Sequence, residues 1–196
     1  MAEAIIAGLL RGNLVAPEQI VASHPRAERR EALERSHGIR TVDENAAAID
    51  GADIVLLGIK PQMLARVGRE LRGRLQPGQL VISILAGATT RALTGHLGHG
   101  EVVRSMPNTP AQLGRGVTVW YATPETSTAQ REQAGALLAA LGMQFEVDDE
   151  RLVAMATAVS GTGPTYVFLV MEALIDATWF TDRDAARAAV DAAKPR

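Results

Sequence analysis

Cysteine is absent from the 196-residue chain. That excludes disulfides, thiolate metal sites and a cysteine nucleophile, and it fits a cytoplasmic protein. Lysine is nearly absent: Lys60 and Lys194 stand alone, and arginine carries the other positive charges. A net charge of −2 leaves no basic footprint for nucleic acid. Aromatic residues make up 4%, too few for a base-stacking platform. No apolar run approaches the ~20 residues of a membrane span. The longest candidate, residues 166–177, is short and carries Glu172 and Asp176. Charged Glu3 interrupts the N-terminus, so no signal-peptide pattern is expected there. His24, His37, His96 and His99 lack ligand spacing, and the last two flank a glycine turn as solvated side chains. No metal site is expected. Hydrophobic content of 47% and charged content of 21% are those of a soluble globular protein.

What is present is organised around Asp53-Ile-Val-Leu-Leu-Gly-Ile-Lys-Pro-Gln62. Residues 54–59 are a continuous apolar run that does not alternate, the pattern of a strand buried on both faces of a parallel sheet. Pro61 cannot donate to a ladder and suits the first turn of a helix. Lys60 therefore sits at the carboxyl end of a buried strand, the edge on which open α/β sheets bind ligands.

Around this strand, helical and strand-like segments alternate. Helical spacing occupies residues 2–11, 27–37 and 43–49, the last capped by Asp43. It returns over 61–74, over 90–97 behind Thr89 or Thr90, and over 128–141 behind Ser127 or Thr128. Strands are expected at 19–23, 39–42, 54–59, 80–85, 102–106, 117–121 and 144–147. Such alternation means βαβ units and a mostly parallel sheet. Beyond Asp148 the pattern is helix only: 152–159, 165–177 and 182–193, with a hinge at Ser160-Gly-Thr-Gly-Pro164. Two units follow, residues 1–148 and 149–196.

Four loops should converge on the carboxyl edge: 23–26, Lys60-Pro61, Ala86-Gly87 and 106–110. A dinucleotide lies in such a crevice. The glycine-rich turn that usually follows the first strand is not in the chain; helix 2–11 looks like the helix such a turn would lead into. At the end of the strand 19–23 stand Ser23, His24, Pro25 and Arg26, with no acidic residue to bond a ribose 2′-hydroxyl. A hydroxyl beside a guanidinium suits a 2′-phosphate, which argues for NADP. An ordinary Ser-Pro helix entry accounts for the same residues without a ligand. Two prolines stiffen Met106-Pro-Asn-Thr-Pro110 and pre-position Asn108 and Thr109, or simply build a turn. Ser160-Gly-Thr-Gly-Pro-Thr-Tyr166 offers N–H groups at a helix start to an anion such as a carboxylate, or lets two helices pack closely.

Gly58-Ile-Lys-Pro-Gln62, Ser83-Ile-Leu-Ala-Gly87, Val103-Arg-Ser-Met-Pro-Asn-Thr-Pro110 and Ser160-Gly-Thr-Gly-Pro-Thr-Tyr166 resemble, in order and spacing, the consecutive motifs of pyrroline-5-carboxylate reductase. Met1-Ala-Glu-Ala-Ile5 resembles the start of that family's first helix. The resemblance covers residues 1–177 and, more loosely, to 190. It implies a Rossmann-type nicotinamide-binding domain followed by a helical dimerisation domain. It also implies reduction of 1-pyrroline-5-carboxylate to L-proline with NADPH or NADH, the last step of proline biosynthesis, and a homodimer or higher homo-oligomer.

By that resemblance Met1, Ser23, Pro25, Arg26, Asn45, Ile59, Lys60 and Ala86 fall at the cofactor. Asn108 and Thr109 fall by the nicotinamide and substrate, as the catalytic pair. Ser160, Gly161 and Thr162 fall at the substrate. The family's first strand and Gly-x-Gly turn would lie upstream of Met1, and its later helices, with a Ser-Pro-Gly-Gly-Thr segment, have no counterpart after Lys194. Loss of a central strand should leave an unpaired edge between two halves of the sheet. The poor fit of residues 177–183 adds to this departure. Two other readings remain: another NADP-dependent Rossmann dehydrogenase, and a non-catalytic chain that associates through the apolar helix 166–177.

Overall fold

Strand β3 (Ile54–Leu57) forms one edge of a five-stranded sheet. Val55 and Leu57 are buried on one face, whereas Ile54 and Leu56 on the other are only half-buried, short of the burial on both faces that the unbroken apolar run leads one to expect. The computed structural model describes residues 1–176 and, beyond them, 184, 185, 187, 188 and 191. The expected helix at 182–193 and the stretch 177–183 lie largely outside the described residues. The sheet runs β3, β4 (Leu80–Ser83), β5 (Val102–Pro107), β6 (Gly116–Ala122), β7 (Gly142–Glu146). β3, β4 and β5 are parallel, β6 is antiparallel to β5, and β7 is parallel to β6. Two shorter strands, β1 (Val21–Ser23) and β2 (Arg40–Val42), pair only with each other, in parallel. The sheet is thus divided into two halves, as the sequence leads one to expect.

Alternate residues of each strand feed two cores. On one face Val55, Leu57, Val81 and Val102 pack with Leu64, Val67 and Leu71 of α4 (Leu64–Leu71) and with Leu93 and Leu97 of α5 (Thr90–Leu97). On the other face Leu80, Ile82, Val103 and Trp120 pack with Ile5 of α1 (Ala2–Arg11) and with Ala134 and Leu138 of α6 (Thr128–Ala139). Burying each such aliphatic side chain is worth roughly 1.5–3 kcal/mol. A third cluster, Ile6, Leu33 and Ile39, ties α1 to α2 (Ala27–His37) and so to the β1–β2 pair.

Several local expectations need correction. The short helix α3 (Asn45–Ile49) begins after Glu44, with no side-chain cap, so Asp43 does not cap it. Thr89 and Ser127 do cap α5 and α6, Ser127 in a reciprocal capping box with Gln130. The segment after Lys60 opens as a 3₁₀ turn, Pro61–Met63, and α4 ends at Leu71, short of Arg74. His99 is not solvated. Its side chain is 6% exposed, with Nε2 at 2.6 Å from the Gln79 carbonyl and 3.3 Å from Glu101.

The hinge is corrected too. Helices α7 (Glu150–Ala156) and α8 (Gly163–Asp176) are joined by a π-helical turn, Thr157–Gly161. The result is one helix, Glu150–Asp176, of 27 residues. By length and composition it could cross a membrane, so the shortness of residues 166–177 is no argument against that. Val153 is buried against the sheet, whereas Tyr166, Val167, Phe168, Val170 and Leu174 are all exposed.

Candidate active site at the carboxyl edge

Because β3, β4 and β5 are parallel neighbours, the loops that follow them open at one edge. Lys60 follows β3, Ala86 and Gly87 follow β4, and Asn108 and Thr109 follow β5. Lys60 is exposed and makes no ion pair among the described residues, so its ammonium faces solvent at that edge. Ile59, beside it, packs into the core beneath the loop. Ala86 is exposed, and Gly87 has φ +75° with nothing within 4 Å of where a Cβ would stand. That turn is open on its outer side.

The N-terminus of α1 comes to the same place. A Cβ added to Gly58 would meet the Ala2 Cβ at 2.7 Å, so β3's end and the first turn of α1 are in close approach. Met1 is exposed at the N-cap, and its carbonyl accepts from Ile5 N at 3.1 Å. Glu3, in the first turn, is bound by Arg29 and lies 3.3 Å from His37 Nε2. The Arg29 hydrogen bond, against a smaller opposing effect of burial, holds the Glu3 carboxyl below its ordinary pKa. Its negative charge is thereby balanced by α2, and the helix start keeps its positive end.

At the end of β1, Ser23 Oγ donates to Asn45 Oδ1 at 2.8 Å, and Asn45 Nδ2 donates to Glu70 Oε2 at 2.6 Å. Ser23 and Asn45, 22 positions apart, are brought together as the resemblance implies. Pro25 stands in the turn into α2. Its carbonyl and that of His24 accept from Arg30 at 3.2 and 2.8 Å. Arg26 is exposed and only its backbone is engaged, by His24 Nδ1 at 3.1 Å. Its guanidinium is available to a ligand. Nothing in the sequence spacing of Glu70 and Arg30 links them to the strand ends that they join.

Asn108 is 8% exposed and uses its amide at both ends. Oδ1 accepts from Val117 N at 2.9 Å, and Nδ2 donates to the Ser160 carbonyl at 3.1 Å. It braces the loop after β5 to β6 and to the π-helical turn. Thr109, the next residue, is exposed at the start of a 3₁₀ turn. The hydroxyls of Ser160 and Thr162 turn back onto helix carbonyls, those of Ala156 at 3.1 Å and Thr157 at 2.8 Å. Gly161 lies against Met106, 3.5 Å from its Cε to an added Cβ. The π-helical turn therefore sits beside the Asn108 loop.

An NADP oxidoreductase family, described as coenzyme F420-dependent, matches residues 1–87. A pyrroline-5-carboxylate reductase of Pseudomonas aeruginosa is 46% identical over 178 residues, 90% of this chain and 65% of that protein. The solved structure of a pyrroline-5-carboxylate reductase from Coxiella burnetii superposes with a TM-score of 0.87 at 30% identity. The match covers 97% of this chain and 72% of that one. The chain belongs to the pyrroline-5-carboxylate reductase family.

The reductase from Plasmodium falciparum, solved with NADP bound, superposes at a TM-score of 0.83 and 25% identity, over 96% of this chain and 70% of that one. This reductase-family chain spans about two thirds of the length of such relatives; for the Pseudomonas protein the share is 65%. Its carboxyl edge fits a nicotinamide dinucleotide. The Gly87 turn is open, Lys60 and Arg26 are exposed cations with no ion pair among the described residues, and the start of α1 faces the end of β3. These are the features that phosphates and a ribose require.

Proposed function

We propose that this protein reduces the cyclic imine 1-pyrroline-5-carboxylate to L-proline with NADPH, and with NADH as a second donor. The observation that supports this reading is the placement of Lys60, Ala86 and Asn108 at adjacent parallel strand ends beside Ser160–Thr162. The cofactor, when bound, supplies the hydride. The chain's own residues bind and orient. Lys60, the first turn of α1 behind Met1, and Ala86 meet the dinucleotide along the edge. Ser23, Pro25, Arg26 and Asn45 meet its ribose end, and Ile59 supports it from below.

Asn108 acts by position. Its two hydrogen bonds hold the loop that carries Thr109 against the π-helical turn, so that Thr109, Ser160, Gly161 and Thr162 border the substrate. No strong general acid is required if the imine binds in its protonated form, which already carries the proton that the product amine retains.

We read residues 1–148 as the nucleotide-binding unit and 149–196 as belonging to a helical unit. The exposed Val167, Phe168, Val170 and Leu174 of α8 are then covered by a second copy of the chain, not by lipid, giving a homodimer in the cytoplasm. The deciding test is NADPH oxidation on addition of pyrroline-5-carboxylate, with a no-substrate control and a fold check by circular dichroism. Substrate-dependent oxidation is expected. A folded chain that binds NADPH and oxidises none of it would sink the reading.

A further inference from the structure

Glu70 stands one residue from the end of α4, on no motif, yet it fixes the direction of a hydrogen-bond chain that ends at the cofactor edge. Asn45 Nδ2 lies 2.6 Å from Glu70 Oε2, and Ser23 Oγ lies 2.8 Å from Asn45 Oδ1. An ionised carboxylate only accepts hydrogen bonds. The Asn45 amide must therefore turn its NH₂ to Glu70 and its carbonyl to Ser23. A carbonyl also only accepts, so the Ser23 hydroxyl is the donor. Its single proton is committed to Asn45, and what Ser23 presents elsewhere is lone pairs. Arg66 Nε, one turn earlier on α4, lies 3.3 Å from Glu70 Oε1.

This arrangement distinguishes two ribose chemistries. A ribose 2′-hydroxyl has a proton to donate to the Ser23 oxygen. A 2′-phosphate offers acceptor oxygens only, and it meets Ser23 lone pairs unless the Ser23–Asn45 bond is broken. We propose that Glu70 is a specificity-determining residue. By orienting Asn45 it turns Ser23 into an acceptor, which favours NADH and opposes the pull of Arg26 on the 2′-phosphate of NADPH. The inference rests on the reading of Ser23 and Asn45 as cofactor contacts.

The test is calorimetric binding of 5′-ADP and of 2′,5′-ADP, which differ only in the 2′-phosphate, to the 196-residue chain. Glu70→Ala frees the Asn45 amide to turn over and Ser23 to donate. One recovered charge-assisted hydrogen bond corresponds to about a tenfold gain for 2′,5′-ADP relative to 5′-ADP. In a Ser23→Ala background the same substitution should change that ratio less than about threefold. Glu70→Gln removes the charge but keeps a carbonyl for the Asn45 NH₂, and it should stay near the wild-type ratio. Additive effects of Glu70→Ala and Ser23→Ala, or equal gains from Glu70→Ala and Glu70→Gln, would overturn the inference while leaving the cofactor site in place. Failure of a folded chain to bind either nucleotide would instead overturn the cofactor reading, and the inference with it.

Discussion

Arg104, in the middle of β5, is joined to Glu150 at the start of α7 by an ion pair of 2.8 Å between Nη1 and Oε1. The arginine side chain is 8% exposed. The same carboxylate accepts from Thr90 N at 2.7 Å and Thr90 Oγ1 at 2.8 Å. Thr90 N is one of the free donors in the first turn of α5, so a residue 60 positions away completes that helix start. Removing the carboxylate leaves a buried guanidinium uncompensated. Glu150→Ala should therefore lower unfolding free energy by roughly 2–4 kcal/mol in urea titration. Loss below about 0.5 kcal/mol would mean that the triad is not formed in solution.

The same junction sets an acid limit. Burial alone would raise the Glu150 pKa, but the bonds from Arg104 and Thr90 outweigh it and hold the carboxyl below its ordinary value of 4.5. A group depressed on folding contributes stability that is fully present above its unfolded pKa and lost as pH falls through the folded one. Stability should therefore decline from about pH 4.5 downward. In Glu150→Gln the overall stability should be lower but this part of the decline reduced. Parallel pH–stability curves for the two proteins would contradict the assignment.

At Gly58 the end of β3 and the start of α1 leave no room for a methyl group, since Ala2 Cβ would be 2.7 Å away. Ala2 Cβ is fixed to the backbone and cannot rotate aside. Gly58→Ala should cost about 1–3 kcal/mol of overpacking and displace the first turn of α1. NADPH affinity should fall with it, since that turn borders the cofactor edge. Adding Ala2→Gly removes the clashing atom and should restore most of both. An unrescued double variant would show that the contact is not the cause.

The strands were legible because buried parallel strands are written as apolar runs: Ile54 to Leu57 and Leu80 to Ser83 lie within the expected 54–59 and 80–85, each ending two residues early. The carboxyl-edge loops followed from that order, since topology alone carries Lys60, Ala86 and Asn108 together. Side-chain commitments were not legible. Nothing in Met106-Pro-Asn-Thr-Pro110 says that Asn108 reaches Ser160, 52 positions on. Nor does Ser160-Gly-Thr-Gly-Pro164 say that the helix continues through it. Glycine and proline mark breaks in an isolated helix, but here Ser160 Oγ, Thr162 Oγ1 and Asn108 satisfy carbonyls that a widened turn would expose. The roles of Glu150 and Glu70 depend on pairings across 60 and 25 positions, which no local pattern encodes.

Asn108 offers a separation of positioning from chemistry. Asn108→Asp keeps an acceptor for Val117 N but replaces the donor to the Ser160 carbonyl with a carboxylate oxygen that cannot donate when ionised. Stability should drop by about 1–3 kcal/mol. With the π-helical turn released, kcat should fall while the dissociation constant of NADPH stays within about threefold, because Lys60 and the start of α1 are untouched. A large loss of NADPH affinity would place Asn108 at the cofactor directly.

Thr118 is the one case among the described residues of a buried side-chain oxygen without a partner. It is fully buried on β6, on the face that carries Trp120. A hydroxyl in that position has given up water without gaining a hydrogen bond, a penalty of roughly 1–3 kcal/mol. Valine has nearly the same shape and the same β-branch, so it keeps the packing and the strand preference. Thr118→Val should therefore stabilise the fold by about 1 kcal/mol, read as a higher urea midpoint at an unchanged slope. Its backbone pairs with Pro107 beside the Asn108 loop, but the side chain is buried and valine keeps its shape, so nucleotide affinity should not move. A variant less stable than wild type would mean that the hydroxyl finds a partner in solution, and that the core around Trp120 admits water.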